Sequence, residues 1–391
     1  MTPDPQKALN AMDRSFEGGE VEVYSRLGVE IVEGDGVRVR TRDGRWLIDF
    51  YGGHAVALLG YRHPRILKTL AEQAERLFFQ TNAVDLEVRA IAARKLAGIA
   101  PRGLHRVFLV NTGTEANENA LRVAFLMTGR SKVVALSGSF HGRTAASAAC
   151  THGAEAKWYG FPRTPFDVEF VPPGEIAALE NALTGQVAAL IVEPVQGVAG
   201  AAEVPLPYLR RARELTSARG IFLIADEVQC GMGRSGHYFA IEAAQVVPDL
   251  LTTAKGLAAG FPAGAVLMST DTSRRLEIGS LGTTFGGGPM ACALIAVVVE
   301  ELKKPGFLER VRRTSDLIRS RCLVGPVRAI QGRGLLLGLR MSGPAIPFLN
   351  KLLDRGILAG GSADPEIIRL MPPLILEESH VEALRTALLA L

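Results

Sequence analysis

A single lysine, Lys255, interrupts the small-residue, apolar stretch 249–260 (DLLTTAKGLAAG). Lysine is among the side chains least often buried, and desolvation lowers the pKa of its amine enough to make it a nucleophile. A lysine snorkelling from a helix face would carry the same letters. The second candidate is Asp226-Glu227, where the apolar run 221–229 (IFLIADEVQ) breaks into acid. A carboxylate at the carboxyl end of a central strand lies where open α/β sheets bind ligands, although an acid can also merely cap a turn. If Asp226 is buried it needs a positive partner, because a buried charge is costly unless paired. The third is 111–117 (NTGTEAN), with a strand-like run before it and a helical pattern after it. Thr112 and Glu115 have the spacing of a capping box, and a helix start of this kind is also an anion site. Residues 231–236 (GMGRSG) spell GxGxxG, but a dinucleotide fingerprint needs its first glycine at the strand-to-helix turn. Here residues 226–229 intervene, so no dinucleotide site is expected.

These candidates need a scaffold. Short runs rich in Val, Ile and Leu occur at 106–111, 132–136, 188–192, 221–225 and 265–269, and helical patterns lie between them. Two helices are expected at 115–127, stopped by Gly129, and at 206–219, stopped by Gly220. Strands apolar on both faces and separated by helices imply a mostly parallel sheet covered on each side. The stretch 21–45 alternates instead, with a turn signal at Asp43-Gly44, and reads as a small β region. After Gly286-Gly287-Gly288 come a buried apolar helix around 290–299, a strand pair within 328–340 and a final helix over 377–391. The expected division is an N-terminal segment, 1–50, packing with the small domain, a large domain, 51–288, and a smaller C-terminal domain, 289–391.

Composition narrows the class. The 391 residues carry 44 Lys+Arg against 40 Asp+Glu, and a net charge of +4 is too small to imply a nucleic-acid partner. With 48% hydrophobic and 21% charged residues the chain is an ordinary globular one. Its longest apolar stretch, 290–299, falls short of the roughly 18 residues that suggest a membrane span. The opening residues lack the apolar core of a signal peptide. Cys150, Cys230, Cys292 and Cys322 form no CxxC pair and have no His at metal spacing, which fits free thiols in a reducing cytoplasm and no bound metal.

Taken in order, NTGTEAN, 139–144 (SFHGRT), 193–197 (EPVQG), DEVQCGMGRSG, TTAKGLAAGFPAG and 282–289 (GTTFGGGP) resemble the class III aminotransferases, pyridoxal-phosphate enzymes. The match runs from about residue 20 to the end. It implies an α/β fold of fold type I, in which a large domain with a mostly parallel sheet carries a smaller α+β domain. The family's Schiff-base lysine falls on Lys255, and the acid that pairs with the pyridine nitrogen falls on Asp226. Gly113 and Thr114 fall on the phosphate cup, Phe140 on the aromatic that stacks on the ring and Val228 on the apolar contact to its other face. Gln229 falls on the contact to the phenolic oxygen, and Glu193 is counted with the cofactor-binding residues. Arg143 and Arg369 fall on the arginines that hold substrate carboxylates, Thr283 on a contact to the acylated substrate and Thr284 on a contact to the phosphate, both made across a homodimer interface.

The short length and the FHGRT form place the resemblance nearest the branch that moves the δ-amino group of N2-acetylornithine to 2-oxoglutarate through a pyridoxamine intermediate, in arginine biosynthesis. The run 51–56 (YGGHAV) is similar to a branch that sometimes takes succinylornithine. Ornithine, 4-aminobutyrate and acylated lysine or diaminopimelate are the alternative donors. One departure bears on this. Many relatives have Glu directly after EPVQG, where it neutralises the second arginine, and this chain has Val198. Arg369 is therefore expected to stay available to substrate throughout. Thr112, where Ser is more usual, and Gly288, where Asn is usual, are smaller departures.

Overall fold

The computed structural model describes residues 21–391. The first 20 residues of the expected N-terminal segment lie outside the described residues. Strands β1 (Ile31–Asp35), β2 (Arg38–Thr41) and β3 (Trp46–Asp49) form an antiparallel ribbon, with Asp43-Gly44 in the turn between β2 and β3. The alternating letters of 21–27 form no strand. They pair with no other strand among the described residues, and Val21 and Val23 stay exposed.

The large sheet comprises β4 (Arg106–Val110), β5 (Lys132–Leu136), β6 (Asp167–Val171), β7 (Val187–Val192), then β10 (Phe222–Asp226), β11 (Leu250–Thr253) and β12 (Gly264–Met268). Between β7 and β10 the chain makes a two-residue ladder, β8 (Val195–Gln196) with β9 (Ala202–Glu203). The spatial order is β4-β12-β11-β10-β7-β5-β6. Only β12 is reversed, pairing antiparallel with both β11 and β4, so the sheet is mostly parallel. All six residues of β7 are buried, as a strand covered on both faces requires. Helix Gly113–Thr128 packs on one face and ends at Gly129 in the left-handed region (φ 66°). Helix Leu206–Arg219 ends the same way at Gly220 (φ 60°).

Two strands escape the sequence pattern. Edge strand β6 alternates polar and apolar residues and pairs only with β5, so it buries little. Strand β11 is wholly buried yet half threonine, and its polar letters hide it.

Beyond residue 288 the apolar helix Pro289–Leu302 is buried along nearly its whole length. Strands β13 (Val327–Arg333) and β14 (Leu336–Met341) form a hairpin, and β16 (Ile367–Leu370) pairs antiparallel with β14. Strand β15 (Ile357–Leu358) pairs in parallel with β3, which joins the N-terminal ribbon to this part of the chain. Helix Glu378–Leu389 closes the fold. All four cysteines are buried and free. No helix among the described residues is long and apolar enough to cross a membrane.

Candidate active site

The carboxyl ends of five parallel strands converge. Asn111 follows β4, residues 139–141 follow β5, Glu193 follows β7, Asp226 ends β10 and Lys255 lies two residues past β11. This is where an open α/β sheet leaves a crevice. Here it is a cavity of about 570 Å³ whose wall includes Gly113, Thr114, Phe140, Arg143, Glu193, Asp226, Val228, Gln229 and Lys255.

Asp226 is 2% exposed, and its carboxylate is held from three sides. Asn117 Nδ2 donates to Oδ2 at 2.7 Å, His141 Nδ1 lies 2.7 Å from the same oxygen, and Val228 N donates to Oδ1 at 3.0 Å. Asn117 is fixed in turn, because its Oδ1 accepts from Thr252 Oγ1 at 2.6 Å and its amide also donates to His141 O. The partner demanded of a buried Asp226 is thus found in a polar clamp, Asn117, the Val228 N–H and a histidine on the loop after β5. Lys255 sits in the left-handed region (φ 47°), partly exposed on the cavity wall. Desolvation pushes its amine down to about 8, the Arg369 charge pushes the same way, and Asp226 and Glu193 oppose it. Glu193, 5% exposed, is pushed up to about 7, first by burial. Its Oε1 accepts from Phe140 N at 2.8 Å, which ties the loop after β5 to the end of β7.

The helix start at Gly113 is built for close approach. Thr112 Oγ1 accepts from Glu115 N at 3.2 Å and Thr112 N donates to the Glu115 carboxylate at 2.9 Å, completing the box. The N–H groups of Gly113 and Thr114 remain at the cavity wall, where helix N-termini take anions. A Cβ on Gly113 would lie 2.7 Å from a methyl of Val228, so any other residue would push Val228 aside. Thr114 Oγ1 lies 2.7 Å from Thr144 Oγ1 and contacts Ser147 as well.

This wall fits pyridoxal phosphate. It supplies an amine, a held carboxylate and an anion-ready helix start, and Gln229 has a buried Oε1 without a partner among the described residues, suited to a polar group in the cavity. The amide's other edge donates to His54 O at 3.4 Å.

The remaining expected residues are placed differently. Arg143 is exposed on the wall, its guanidinium 4.6 Å from the Trp158 ring centre and 5.7 Å from that of Tyr24, within cation–π range. Arg369, on β16, is 6% exposed and set back from the cavity wall. Its Nε donates to Gly361 O at 2.6 Å and its Nη1 to Gly197 O at 3.2 Å, and no carboxylate lies within 4 Å of it among the described residues. Desolvation lowers its pKa, and the nearby Tyr51 phenol opposes that. Thr283 and Thr284 are outside the cavity within one chain. Thr283 Oγ1 lies 3.5 Å from Asn111 Nδ2, whose residue does line the cavity, and Thr284 is exposed.

Asn117, His141, Trp158 and Tyr24 were not singled out from the sequence. Asn117 had a signal, a polar residue four positions past Gly113 on what proves the buried face of its helix. Trp158 and Tyr24 had none, since nothing in the sequence ties either aromatic to Arg143.

A lysine amine, a clamped carboxylate and a phosphate-ready helix start at the carboxyl edge of a mostly parallel sheet define a pyridoxal-phosphate enzyme. The sequence model of the class III aminotransferases matches residues 21–390, and the chain belongs to that family. It is accordingly a pyridoxal-phosphate-dependent aminotransferase, which takes an amino donor and a keto acid. Among curated relatives, an acetylornithine aminotransferase of Methanopyrus kandleri is 39% identical over 365 residues, 93% of this chain and 94% of that one. A LysW-aminoadipate semialdehyde transaminase of Deinococcus radiodurans is 34% identical over 97% of this chain and 88% of its own. Among solved structures, an ornithine aminotransferase of Toxoplasma gondii with partial occupancy of pyridoxal phosphate at its active site superposes with a TM-score of 0.90. It is 31% identical, with 96% of this chain and 91% of that one covered.

Proposed function

We propose that the chain transfers the δ-amino group of N2-acetylornithine to 2-oxoglutarate, as a homodimer in the cytoplasm and as a step of arginine biosynthesis. The observation that carries this reading is the shared cavity in which the Lys255 amine and the Asp226 carboxylate face the same space as the Arg143 guanidinium. An acylated ornithine offers its α-carboxylate at one end and its amine at the other, so an arginine at the wall can hold the carboxylate while the amine reaches the cofactor that Lys255 would anchor. The M. kandleri relative supports the same donor by its name.

When bound, pyridoxal phosphate would supply an acceptor for the amino group and for the electrons released at the substrate carbon. Lys255 Nζ would hold it and would move the proton at the δ-carbon of the donor. Asp226 would keep a proton on the ring nitrogen, and Asn117, His141 and the Val228 N–H hold that carboxylate in place. Phe140, Val228, Glu193 and Gln229, which line the cavity, would hold the ring, and the N–H groups of Gly113 and Thr114 would take the phosphate. Arg143 and Arg369 each take one carboxylate of 2-oxoglutarate, by the paired geometry that suits guanidinium. Thr283 and Thr284 act on the neighbouring protomer's site. The N-terminal ribbon, 51–288 and 289–391 serve as the three structural units of this arrangement.

A second reading, with an acylated lysine-type donor, is favoured by the D. radiodurans relative. One experiment separates the two. The protein loaded with pyridoxal phosphate is given acetylornithine without a keto acid, and its visible band is followed beside a Lys255→Ala control. Loss of the band in the wild type alone supports the first reading. A band that persists with acetylornithine but bleaches with an acylated lysine supports the second.

A further inference from the structure

The GMGRSG loop contains the largest fully buried side chain among the described residues, Arg234, at 1% exposure. Its Nη1 donates to Leu335 O at 3.0 Å and Pro372 O at 2.8 Å, and its Nη2 to Ala55 O at 3.5 Å. No carboxylate lies within 4 Å of it among the described residues, and the buried Asp49 is the acid whose charge acts on it. A buried guanidinium carries a desolvation cost that an apolar side chain of the same volume would avoid. What it supplies in return is a rigid fork of donors that reaches three carbonyls at once, which neither lysine nor methionine can do.

The three carbonyls belong to segments that flank the site. Ala55 closes a turn in which Gly52, Gly53, His54 and Ala55 are all in the left-handed region, two of them bearing a Cβ. Non-glycine residues hold that conformation only where their surroundings impose it. Gln229, five residues before Arg234, reaches the carbonyl of His54 in this same turn. Pro372 follows Arg369 by three residues, and Leu335 sits in the β13–β14 turn, whose backbone N–H donates back to Arg234 O at 2.8 Å. There is no slack between these pieces. Met371 N donates to Phe50 O at 2.6 Å, a Cβ on Gly52 would lie 2.4 Å from Met371 O, and one on Gly334 would lie 2.3 Å from Arg234 O.

We propose that Arg234 is a positioning residue that sets the distance between the Lys255–Asp226 end of the site and Arg369, by pinning the 52–55 turn and the end of β16 to the loop that follows Asp226. It touches neither cofactor nor substrate. The proposal rests on the reading of Arg369 as a carboxylate subsite. Loss of the fork lets Arg369 drift relative to the ring while Lys255 and Asp226 keep their own partners.

The test uses the cofactor-loaded protein and glutarate, an unreactive dicarboxylate, with binding followed by calorimetry. Arg234→Met is expected to raise the Kd of glutarate on the order of 10-fold, as small misplacements of positioning groups do. Pyridoxal-phosphate affinity and the visible band should stay as in the wild type, and Arg234→Lys should fall between. Should the Met variant fail to fold, the Lys variant is read by the same split between glutarate and cofactor. A lowered Tm with an unchanged glutarate Kd overturns the proposal and leaves Arg234 a packing residue. Equal weakening of cofactor and glutarate overturns it as well. An Arg369→Ala control that binds glutarate normally overturns the carboxylate reading itself, and the proposal with it.

Discussion

Lys255 is a usable amine because of where it lies, and its neighbours set how usable. Its amine is drawn down to about 8 by desolvation, against the pull of two carboxylates. Capture of pyridoxal phosphate by the cofactor-free protein needs the neutral amine. The rate should therefore rise with pH through about 8 and level off above it, as followed by stopped-flow absorbance. Glu193 offers a sharper check. In its ionised form its charge favours the protonated amine. Glu193→Gln keeps an acceptor for Phe140 N and removes the charge, so the midpoint of the capture profile should move down. A midpoint that stays or rises would mean that Glu193 does not act on Lys255 through its charge. At the wall, Arg143→Ala should raise KM for both acetylornithine and 2-oxoglutarate by at least 10-fold, since a charged hydrogen-bonded partner is worth about 1.5–3 kcal/mol. An unchanged kcat/KM for both would remove Arg143 from substrate binding. Lys255 and Asp226 could be singled out from the sequence because each breaks an apolar run in one dimension. His141 could not, and Asn117 had only its place on a helix face, since their role is to meet a carboxylate more than 80 positions away in the chain.

The helix that starts at Gly113 joins two kinds of information. Its start was legible, because a capping box is local chemistry written in four residues. That Gly113 must be glycine was not, since the reason is Val228, brought within 2.7 Å of a would-be Cβ by the turn after β10. Gly113→Ala should therefore cost about 1–3 kcal/mol through overpacking. Because Val228 also lines the cavity, the cofactor's Kd should rise by roughly 10-fold, the equivalent of 1.4 kcal/mol of that strain. Equilibrium dialysis and thermal melts on one variant separate the two, and a lower Tm with unaltered cofactor affinity would confine Gly113 to packing. Strand β11 shows the opposite case. Two of its four residues are threonines, so its letters argue against a buried strand, yet Thr252 satisfies its hydroxyl on Asn117 at 2.6 Å. A polar residue with a partner is a core residue, and the partner is what a single sequence does not show.

At the scale of the whole molecule, the placement of Thr283 and Thr284 outside the cavity is the informative feature. They lie on a segment fastened to residues 77–89, where Asn82 Nδ2 donates to Gly286 O at 2.9 Å and Arg89 Nε to Gly287 O at 2.9 Å. The joined surface displays Phe78, Phe79 and Phe285 at 66%, 41% and 67% exposure, with the last two rings 5.4 Å apart. Aromatic side chains grouped in this way mark an association surface rather than a solvent face. Closed two-fold symmetry would place the same patch on both protomers and carry each Thr284 toward its partner's site. Phe285→Glu should then give a monomer by light scattering, with weakened cofactor retention. A stronger test is complementation. Lys255→Ala removes the amine from its own cavity, and under the proposed pairing Thr284→Glu would put a negative charge against the phosphate of the partner's. Each homodimer is expected to be inactive. After denaturation and refolding together, half of the dimers are mixed, and each mixed dimer has one cavity with an intact lysine facing an intact threonine. Activity should return to roughly a quarter of the wild-type value, as two-fold pairing dictates. If Thr284 served the cavity of its own chain, no mixed dimer would contain a whole site and none would return.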